Sequence, residues 1–537
     1  MSDAKQGVLA RHQAALAEGQ FLIQKCDDCG QHIYFPRELC PHCGGEHLNL
    51  VATSGLGTVY SVTTVRRKPD AGGDYNVCLI DLDEGVRLMS RVEMTPVDAV
   101  QVGQRVRARV VQEKGQGVVV FDPVDTAPSQ PKPVPKGPAA STAVHTSNGL
   151  KALRGSAAIA GVATFGCGEA TGFSEMEVLA RAARAAVADA GLKMSDIDGL
   201  CTASVLSTMW PMPVTEYLGI NPRYINGTMV GGSSFVAHLL PAMMALQSGQ
   251  CNAVLVCYGS TQRTATFGRA EIAQARRAMD PQPYETPYAP MQPLSAYALA
   301  TRRHMHEFGT TRRQLAEVAV AARQWAQRNP EAFMRDPLSI DDVLKARMVS
   351  DPLSVRDCCL VTDGGGAFVL VRADRARDLP KKPVYVLGNA TANWNRQVSS
   401  MHDLTVTAAS QSGRDAFAMA GMKPSDMDVV ELYDAFTINT LLFLEDLGFC
   451  KKGEGGAFVE GGAIAPGGRL AVNTNGGGLS CTHPGMYGIF TVIEAVRQLR
   501  GEGGERQVQG VKTALAHGNG GTLSSQSTAI FGLEEVL

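Results

Sequence analysis

Apolar positions along this chain repeat with two different periods, and the change of period divides it into parts. Over residues 5–20, Val8, Leu9, His12 and Leu16 fall at helical spacing, which predicts an amphipathic helix. From Gly55 to Val124 the period drops to that of a strand. The segments GTVYSVTTVRR, NVCLIDLDE, VRLMSRVEM, RVRARVVQE and GVVVFDPV read as about five strands, enough for a small OB-type barrel. Asp125 to Gly149 has no period and is dense in Pro, Ser and Thr, the composition of an extended linker. Beyond it, SAAIAGVATFG reads as a buried strand and SEMEVLARAARAAVADAGL as a helix. Val254–Gly259 and Ala367–Val371 are further buried strands, and Val384–Gly388 opens a second series in the same order. That alternation predicts an α/β layered fold. The expected divisions are helix and zinc ribbon at 1–54, barrel at 55–124, linker at 125–152 and the α/β unit at 153–537.

Composition narrows the classes. A chain of 537 residues exceeds one ordinary core. Its formal net charge of -2, without a strongly basic stretch, argues against a nucleic-acid partner. No apolar run reaches the roughly 18 residues of a membrane span. The start, MSDAKQGVLARHQAALAEGQ, lacks the apolar centre of a signal peptide. Thirteen cysteines in such a chain fit a reducing cytoplasm.

Three stretches carry chemistry. Cys26-Asp-Asp-Cys29 and Cys40-Pro-His-Cys43 have zinc-ribbon spacing. Four thiolates close a tetrahedral site and leave no position for water, so the zinc is expected to be structural, with His42 and His47 taking no part. VVELYDAFTINTLLFLEDLGF reads as a strand running into a helix, with Tyr433 and Asp434 at the turn. VNTNGGGLSCTHPGMYGIF reads as a glycine-rich loop entering a helix marked by Ile489, Val492, Ile493 and Val496. Gly476, Gly477 and Gly478 permit close approach there, and His483 and Tyr487 ride on the loop.

The last two stretches resemble a known family. Tyr433-Asp434-Ala435-Phe436, followed by Gly477-Gly478-Leu479-Ser480-Cys481-Thr482-His483-Pro484, is similar to the Asn-Glu-Ala-Phe (or His-Asp-Cys-Phe) and Gly-His-Pro elements of thiolases, in their sterol-carrier-protein branch. The resemblance covers roughly Leu153 to Leu537. It implies a duplicated five-layer thiolase-like fold, an acyl-CoA substrate, and a homodimer with the sites beside its interface. The ribbon and barrel resemble the acyl-CoA-associated domain that partners such enzymes, here fused upstream.

The chain departs from thiolases at the nucleophile. Asn226–Phe235 holds no cysteine, and Val230 or its neighbour stands where the sulfur belongs. Ser233 and Ser234 are expected to cap the following helix instead. The last glycine loop, His517–Ser525, also lacks a cysteine, and Ala435 replaces the cysteine of the His-Asp-Cys-Phe variant. Cys481 does not fall at the nucleophile's position. Tyr433 stands where Asn or His is usual, with Tyr487 after the Gly-His-Pro turn. This pair resembles the thiolase-like aldolases of bacterial steroid side-chain degradation.

That resemblance implies retro-aldol cleavage of a β-hydroxyacyl-CoA to a carbonyl product and an acyl-CoA. Tyr433, Tyr487 and His483 would be catalytic, while Asp434, Gly477, Gly478, His517 and Gly520 would contact substrate or CoA. A hydratase partner could supply the β-hydroxyl. The rivals are an acyltransferase with an unusual nucleophile and a noncatalytic acyl-CoA or sterol binder. Among remaining residues, His304 and His306 are expected on a helix, His402 beside a cavity, Asp363 with its three glycines in a turn, and Arg66-Arg67-Lys68 in a solvated turn or on a CoA phosphate.

Overall fold

A computed structural model describes residues 6–125, 147–207, 209–265 and 282–537. Most of the expected linker lies outside the described residues, and its end forms the short helix Asn148–Ala152.

Ten strands form one sheet, in the order Tyr224–Asn226, Gly199–Thr202, Ala253–Ser260, Asp363–Arg372, Ala157–Gly168, Val384–Asn393, Ser525–Gly532, Thr513–Gly520, Val429–Leu432, Ala471–Val472. Read outward from the middle, both halves repeat one topology. In each, the last strand in sequence lies antiparallel between two neighbours, while the outer strands run parallel. Among the described residues, the strand pairing between the halves is Val384↔Ile159 and Tyr385↔Ala158.

Helix Glu175–Asp189 covers the outer face of the first half and Ala409–Ala420 that of the second. Leu239–Gln247 and Gly488–Arg500 pack between the halves, touching strands of both, so the expected five layers are present. The outer helices are seated the same way twice. A side chain at Gly161 would come 2.1 Å from Ala186 O, and one at Gly388 would come 2.2 Å from Ala416 O. Only glycine lets the helix backbone lie that close to the strand. Ser174 and Glu177 complete a capping box that starts the first of these helices.

The barrel consists of Leu56–Val65, Tyr75–Leu82, Arg87–Ser90, Arg105–Glu113 and Gln116–Pro123, and it closes at Val92↔Phe121. It is docked firmly on the α/β unit. Ser350 pairs with Val65 as a strand extension, and Thr63 Oγ1 lies 2.8 Å from Ser350 Oγ. The Tyr60 ring is held between two guanidinium groups, Arg87 at 3.3 Å and Arg303 at 4.1 Å. Arg87 also donates to Met401 O (2.7 Å) and His402 O (2.9 Å) and pairs with Asp81. At the ribbon, Phe35 stacks on Tyr284 at 4.6 Å.

Two expectations change, and an open alternative at Arg66 is narrowed. Leu9 is exposed, because the first helix, Val8–Ala17, buries only Val8, His12 and Leu16. Asp363–Gly366 begins a strand rather than a turn. Asp363 holds it by accepting from the N–H groups of Ala170, Arg263 and Thr264. The glycines after it are packing positions, since a side chain at Gly365 would strike Val178 and one at Gly366 would strike Ile493. Arg66 is engaged by Asp74 and Asp98, which makes its run a surface ion-pair turn.

Replacing Tyr60 by Ala removes the ring shared by two cations. At about 1 kcal/mol for each pairing, the loss should be roughly 2 kcal/mol. A lower melting temperature and earlier proteolytic separation of the barrel from the α/β unit should be seen, and unchanged melting would show that the stack does not hold the barrel.

Candidate active site

Tyr433 lies at the end of strand Val429–Leu432, and its position is set from both sides. Its backbone N–H donates to His517 O on the neighbouring strand at 3.1 Å. Leu432 N–H donates to Asn473 Oδ1 at 2.6 Å. Phe436 then starts helix Thr437–Asp446. The tyrosine ring fills the space beside Gly232, where a side chain would come within 2.1 Å of it.

Three glycine-bearing segments converge on that ring. Val230–Ser233 packs on the last loop, since a side chain at Gly520 would lie 1.7 Å from Val230 O. The same turn meets Gly488, where a side chain would lie 2.1 Å from Gly232 O. From the third segment, His483 Nε2 stands 3.0 Å from Tyr433 Oη, and Tyr487 N–H donates to that oxygen at 3.1 Å. His483 is positioned through its own N–H, which donates to Thr362 Oγ1 at 2.8 Å. Burial raises the Tyr433 phenol well above its ordinary pKa, so it stands protonated.

Tyr487 comes to the site differently. Its ring meets Tyr433 edge-on, 5.6 Å between centroids, and stacks on Phe490. Its hydroxyl donates to Asn475 Oδ1 at 2.9 Å. Burial, with Asp434 adding to it, raises this phenol too. Asp434 supports the π-helical turn Gly477–Cys481 by accepting from Gly478 N–H (2.6 Å) and Leu479 N–H (3.3 Å). Burial pushes its carboxyl up to about 7 against those donors. Gly477 and Gly478 are packed on this carboxylate, where a side chain at Gly477 would reach within 2.0 Å of it.

His517 lies inside the sheet with both ring nitrogens engaged, by Thr528 Oγ1 and Gln526 Oε1, each at 2.9 Å. Its backbone, rather than its ring, touches Tyr433. His304 lies on helix Leu294–Phe308, buried against Thr310 and Glu445, and His306 is exposed on the same helix.

Ser233 and Ser234 do not cap the helix N–H groups. Ser233 Oγ donates toward Val230 O and Ser525 Oγ, and Ser234 Oγ donates to Gly231 O while accepting from Val230 N–H. Both hydroxyls are spent tying the turn. Cys481 is buried and its thiol is raised well above the ordinary value, chiefly by burial. The sequence reading missed Cys359, Tyr297 and Asn475. Cys359 N–H donates to Ala435 O, which brings this cysteine beside the Tyr433 turn, and burial raises its thiol too. Cys359 lies in a loop, and no motif or period marks it.

Away from this site, the Sγ atoms of Cys26, Cys29, Cys40 and Cys43 all lie within 4.8 Å of one another. Cys26–Cys43 and Cys29–Cys40 are each separated by 3.7 Å. Tetrahedral Zn–S bonds of about 2.3 Å place sulfurs about 3.8 Å apart. The four residues therefore fit a zinc ion. His47 turns outward to Asp28.

Known proteins place the chain. A model described as "Thiolase C-terminal domain-like" matches residues 390–533. Models described as "ChsH2, C-terminal OB-fold domain" and "ChsH2, rubredoxin-like zinc ribbon domain" match 50–111 and 13–49. An acetyl-CoA acetyltransferase of Methanothermobacter thermautotrophicus is 34% identical over 70% of this chain and 98% of its own length. The chain belongs to the thiolase superfamily. Within it, a steroid side-chain-cleaving aldolase of Thermomonospora curvata is 35% identical, covering 66% of this chain and 92% of the relative. A 17-hydroxy-3-oxo-4-pregnene-20-carboxyl-CoA lyase of Mycobacterium tuberculosis is 34% identical over 65% and 92%. Among solved structures, the Ltp2-ChsH2(DUF35) aldolase superposes with a TM-score of 0.65 and 32% identity, covering 71% of this chain and 99% of that one.

Metal analysis of the purified protein should find about one zinc per chain, and Cys26→Ser should lower its stability, because metal-binding energy is folding energy in such a ribbon. A protein that melts identically after its metal is stripped would contradict a structural role.

Proposed function

We propose that the chain is a carbon–carbon lyase that cleaves a β-hydroxyacyl-CoA, with a steroid or other bulky side chain, into a ketone or aldehyde and a shorter acyl-CoA. The observation that carries this reading is the 3.0 Å approach of His483 Nε2 to Tyr433 Oη, beside a turn, Asn226–Phe235, that holds no cysteine. A thiolase forms an acyl-enzyme on a thiolate; here the site offers a hydrogen-bonded proton-transfer pair instead.

The substrate hydroxyl passes its proton to Tyr433 Oη while Tyr433 passes its own to His483 Nε2. Free phenolate is never formed, which suits a phenol raised by burial. The Cα–Cβ bond breaks, Cβ becomes the carbonyl, and the electron pair moves into the thioester as an enolate. Backbone N–H groups of the glycine loops hold that oxyanion. The proton returns to Cα through the tyrosines, with Tyr487 as the second phenol and Asp434, Gly477, Gly478 and Gly520 shaping the loops around the thioester. His517 acts through the strand that holds Tyr433. No proton is consumed overall.

In this reading the ribbon (1–54) and barrel (55–124) support a catalytic unit at 153–537, and the zinc takes no part in chemistry. A hydratase would supply the β-hydroxyl. Thirteen cysteines, none of them in a disulfide, suit a reducing cytoplasm. No helix among the described residues is long and apolar enough to cross a membrane.

Removing one phenol should cost about 10² to 10⁴ in rate if it carries a proton. Tyr433→Phe and Tyr487→Phe keep the rings and should melt near wild type. His483→Ala should lose about 10² or more, as base and hydrogen-bonding partner together. Cys481→Ala and Cys359→Ser should retain most cleavage of a β-hydroxyacyl-CoA. Wild-type rates in both Phe variants, with a dead cysteine variant or a trapped acyl-enzyme, would favour acyl transfer; binding without turnover would favour a noncatalytic carrier.

A homodimer is proposed as well. The strand Tyr224–Asn226 is a sheet edge, and Met209, Met212, Ile225 and Met229 nearby are 61%, 59%, 49% and 44% exposed. Such an apolar patch on a sheet edge is an association surface, and it ends at the Val230 turn. Light scattering should give twice the chain mass, and Ile225→Lys should shift it toward the monomer; a wild-type monomer would refute the dimer.

A further inference from the structure

Behind the Tyr433 turn, one hydroxyl faces two buried carboxyls. Thr474 Oγ1 lies 2.7 Å from Glu431 Oε1 and 2.8 Å from Glu494 Oε1, and all three side chains are buried. A threonine hydroxyl has one proton to give. With both carboxyls ionised, one of these short contacts would hold no proton, and the two charges would repel in a dry interior. One carboxyl therefore carries a proton. Glu494 is the ionised one, since Arg506 donates to both its oxygens, at 2.8 and 3.0 Å, and Gln498 adds a donor at 3.1 Å. Besides the hydroxyl, Glu431 receives the Thr474 N–H at 3.1 Å, and its Oε2 has no partner among the described residues. An ionised carboxylate so poorly matched is costly, which places the proton on Glu431. Burial, and then the charge of Glu494, push the Glu431 carboxyl up to about 8. Burial opposes ionisation of Glu494 too, but Arg506 holds it below its ordinary value.

This acid grips the segment that anchors both phenols. Its strand, Val429–Leu432, ends at Tyr433. Asn473 donates its N–H to Val430 O and accepts from Leu432 N–H at 2.6 Å. Asn475 Oδ1 accepts from the Tyr487 hydroxyl at 2.9 Å and from Gly477 N–H at 2.7 Å. Thr474 lies between these asparagines, so its two contacts with Glu431 fix the segment at its middle. The charged groups facing Glu431 are Glu494, on helix Gly488–Arg500, and Arg506 beyond it; the Tyr487 phenol lies just before that helix, and the neighbouring strand presents Ala516. Without the proton, Glu431 and Glu494 would be like charges on either side of Thr474, driving the helix away from the strand.

We propose that Glu431 is a positioning residue that acts in its protonated form, its proton clamping Thr474 between the two asparagines so that both phenols stay aimed. It acts through Asn473 and Asn475 and not on the substrate. This deepens the aldolase reading and rests on it, because the phenols are what it aims.

Glu431→Gln in the full chain is the discriminating variant, since an amide keeps the shape and neutrality of the acid without a titratable proton. It should retain most cleavage of a β-hydroxyacyl-CoA at neutral pH. Wild-type kcat/KM should fall about tenfold per pH unit above about 8, and in the variant that fall should move to higher pH. Infrared spectra at neutral pH should show the carbonyl band of a protonated carboxylic acid that Glu431→Gln lacks. In the unfolded chain this carboxyl titrates near its ordinary 4.5, so the stability its proton contributes is complete below that pH and is lost as pH climbs through about 8. Melting temperatures should accordingly shift in the variant's favour across that range. An unchanged infrared spectrum, a pH profile identical to the wild type's, or a folded variant inactive at every pH would overturn the proposal, the last by showing that the ionised form is the one required. Should the wild type cleave no β-hydroxyacyl-CoA, the aldolase reading fails by itself, while the infrared band and the melts still decide whether Glu431 clamps the segment through its proton.

Discussion

Everything at the candidate site depends on how closely backbone approaches the Tyr433 ring. Gly232 has no side chain because the ring is there, and Gly488 and Gly520 have none because the Val230–Ser233 turn is there. Those approaches bring three loops from both halves of the duplicated sheet within reach of one hydroxyl. The packed interior tolerates no slack at such contacts, so His483 and the Tyr487 N–H meet the phenol without a flexible element to position them. Buried carboxyl, amide and hydroxyl groups behind the loops then act as struts: Asp434 under the π-helical turn, Asn475 under Tyr487, and Asp363 under the strand that passes Thr482.

The same framework explains why a thiolase scaffold can serve a different reaction. A thiolate needs a helix N-terminus and a neighbour to lower its pKa. Here the turn at that helix is intact, but its hydroxyls are tied within the turn and it holds no cysteine. The cysteines near the site, Cys359 and Cys481, are buried where burial keeps them as thiols. What the loops still bring together is a phenol oxygen and an imidazole nitrogen, 3.0 Å apart.

Much of the fold was legible because period-two and period-3.6 patterns are long in this chain. The five barrel strands and the strands opening each half were readable for that reason, and the ribbon from its cysteine spacing. Glycine defeated the reading where its job was packing. At Gly364–Gly366 a glycine run looks like a turn, but it lies in a strand against Val178 and Ile493. Leu9 was misassigned because one apolar residue beside a helical stripe does not reveal which side the core lies on. At the site, Tyr433, His483 and Tyr487 were found through motif order, and their rings do cluster. The direction of the Tyr487 hydroxyl toward Asn475 was invisible, since it depends on a contact between loops. Tyr297, Asn475 and Cys359 escaped for the same reason: only the tertiary fold gathers them.

The barrel's attachment has a further consequence. It grips the α/β unit through the Ser350–Val65 pairing, the Arg87–Tyr60–Arg303 stack, the carbonyls of Met401 and His402, and an apolar core that takes in Val65, Val77, Leu79, Met89, Val118 and Val120. Between separate chains, such contacts would first have to offset the entropy of bringing two bodies together. On one polypeptide the barrel faces its dock at an effective concentration of the order of millimolar. Docking therefore does not depend on how much protein the cell holds, and every catalytic unit is made with its own barrel in a ratio that expression cannot disturb.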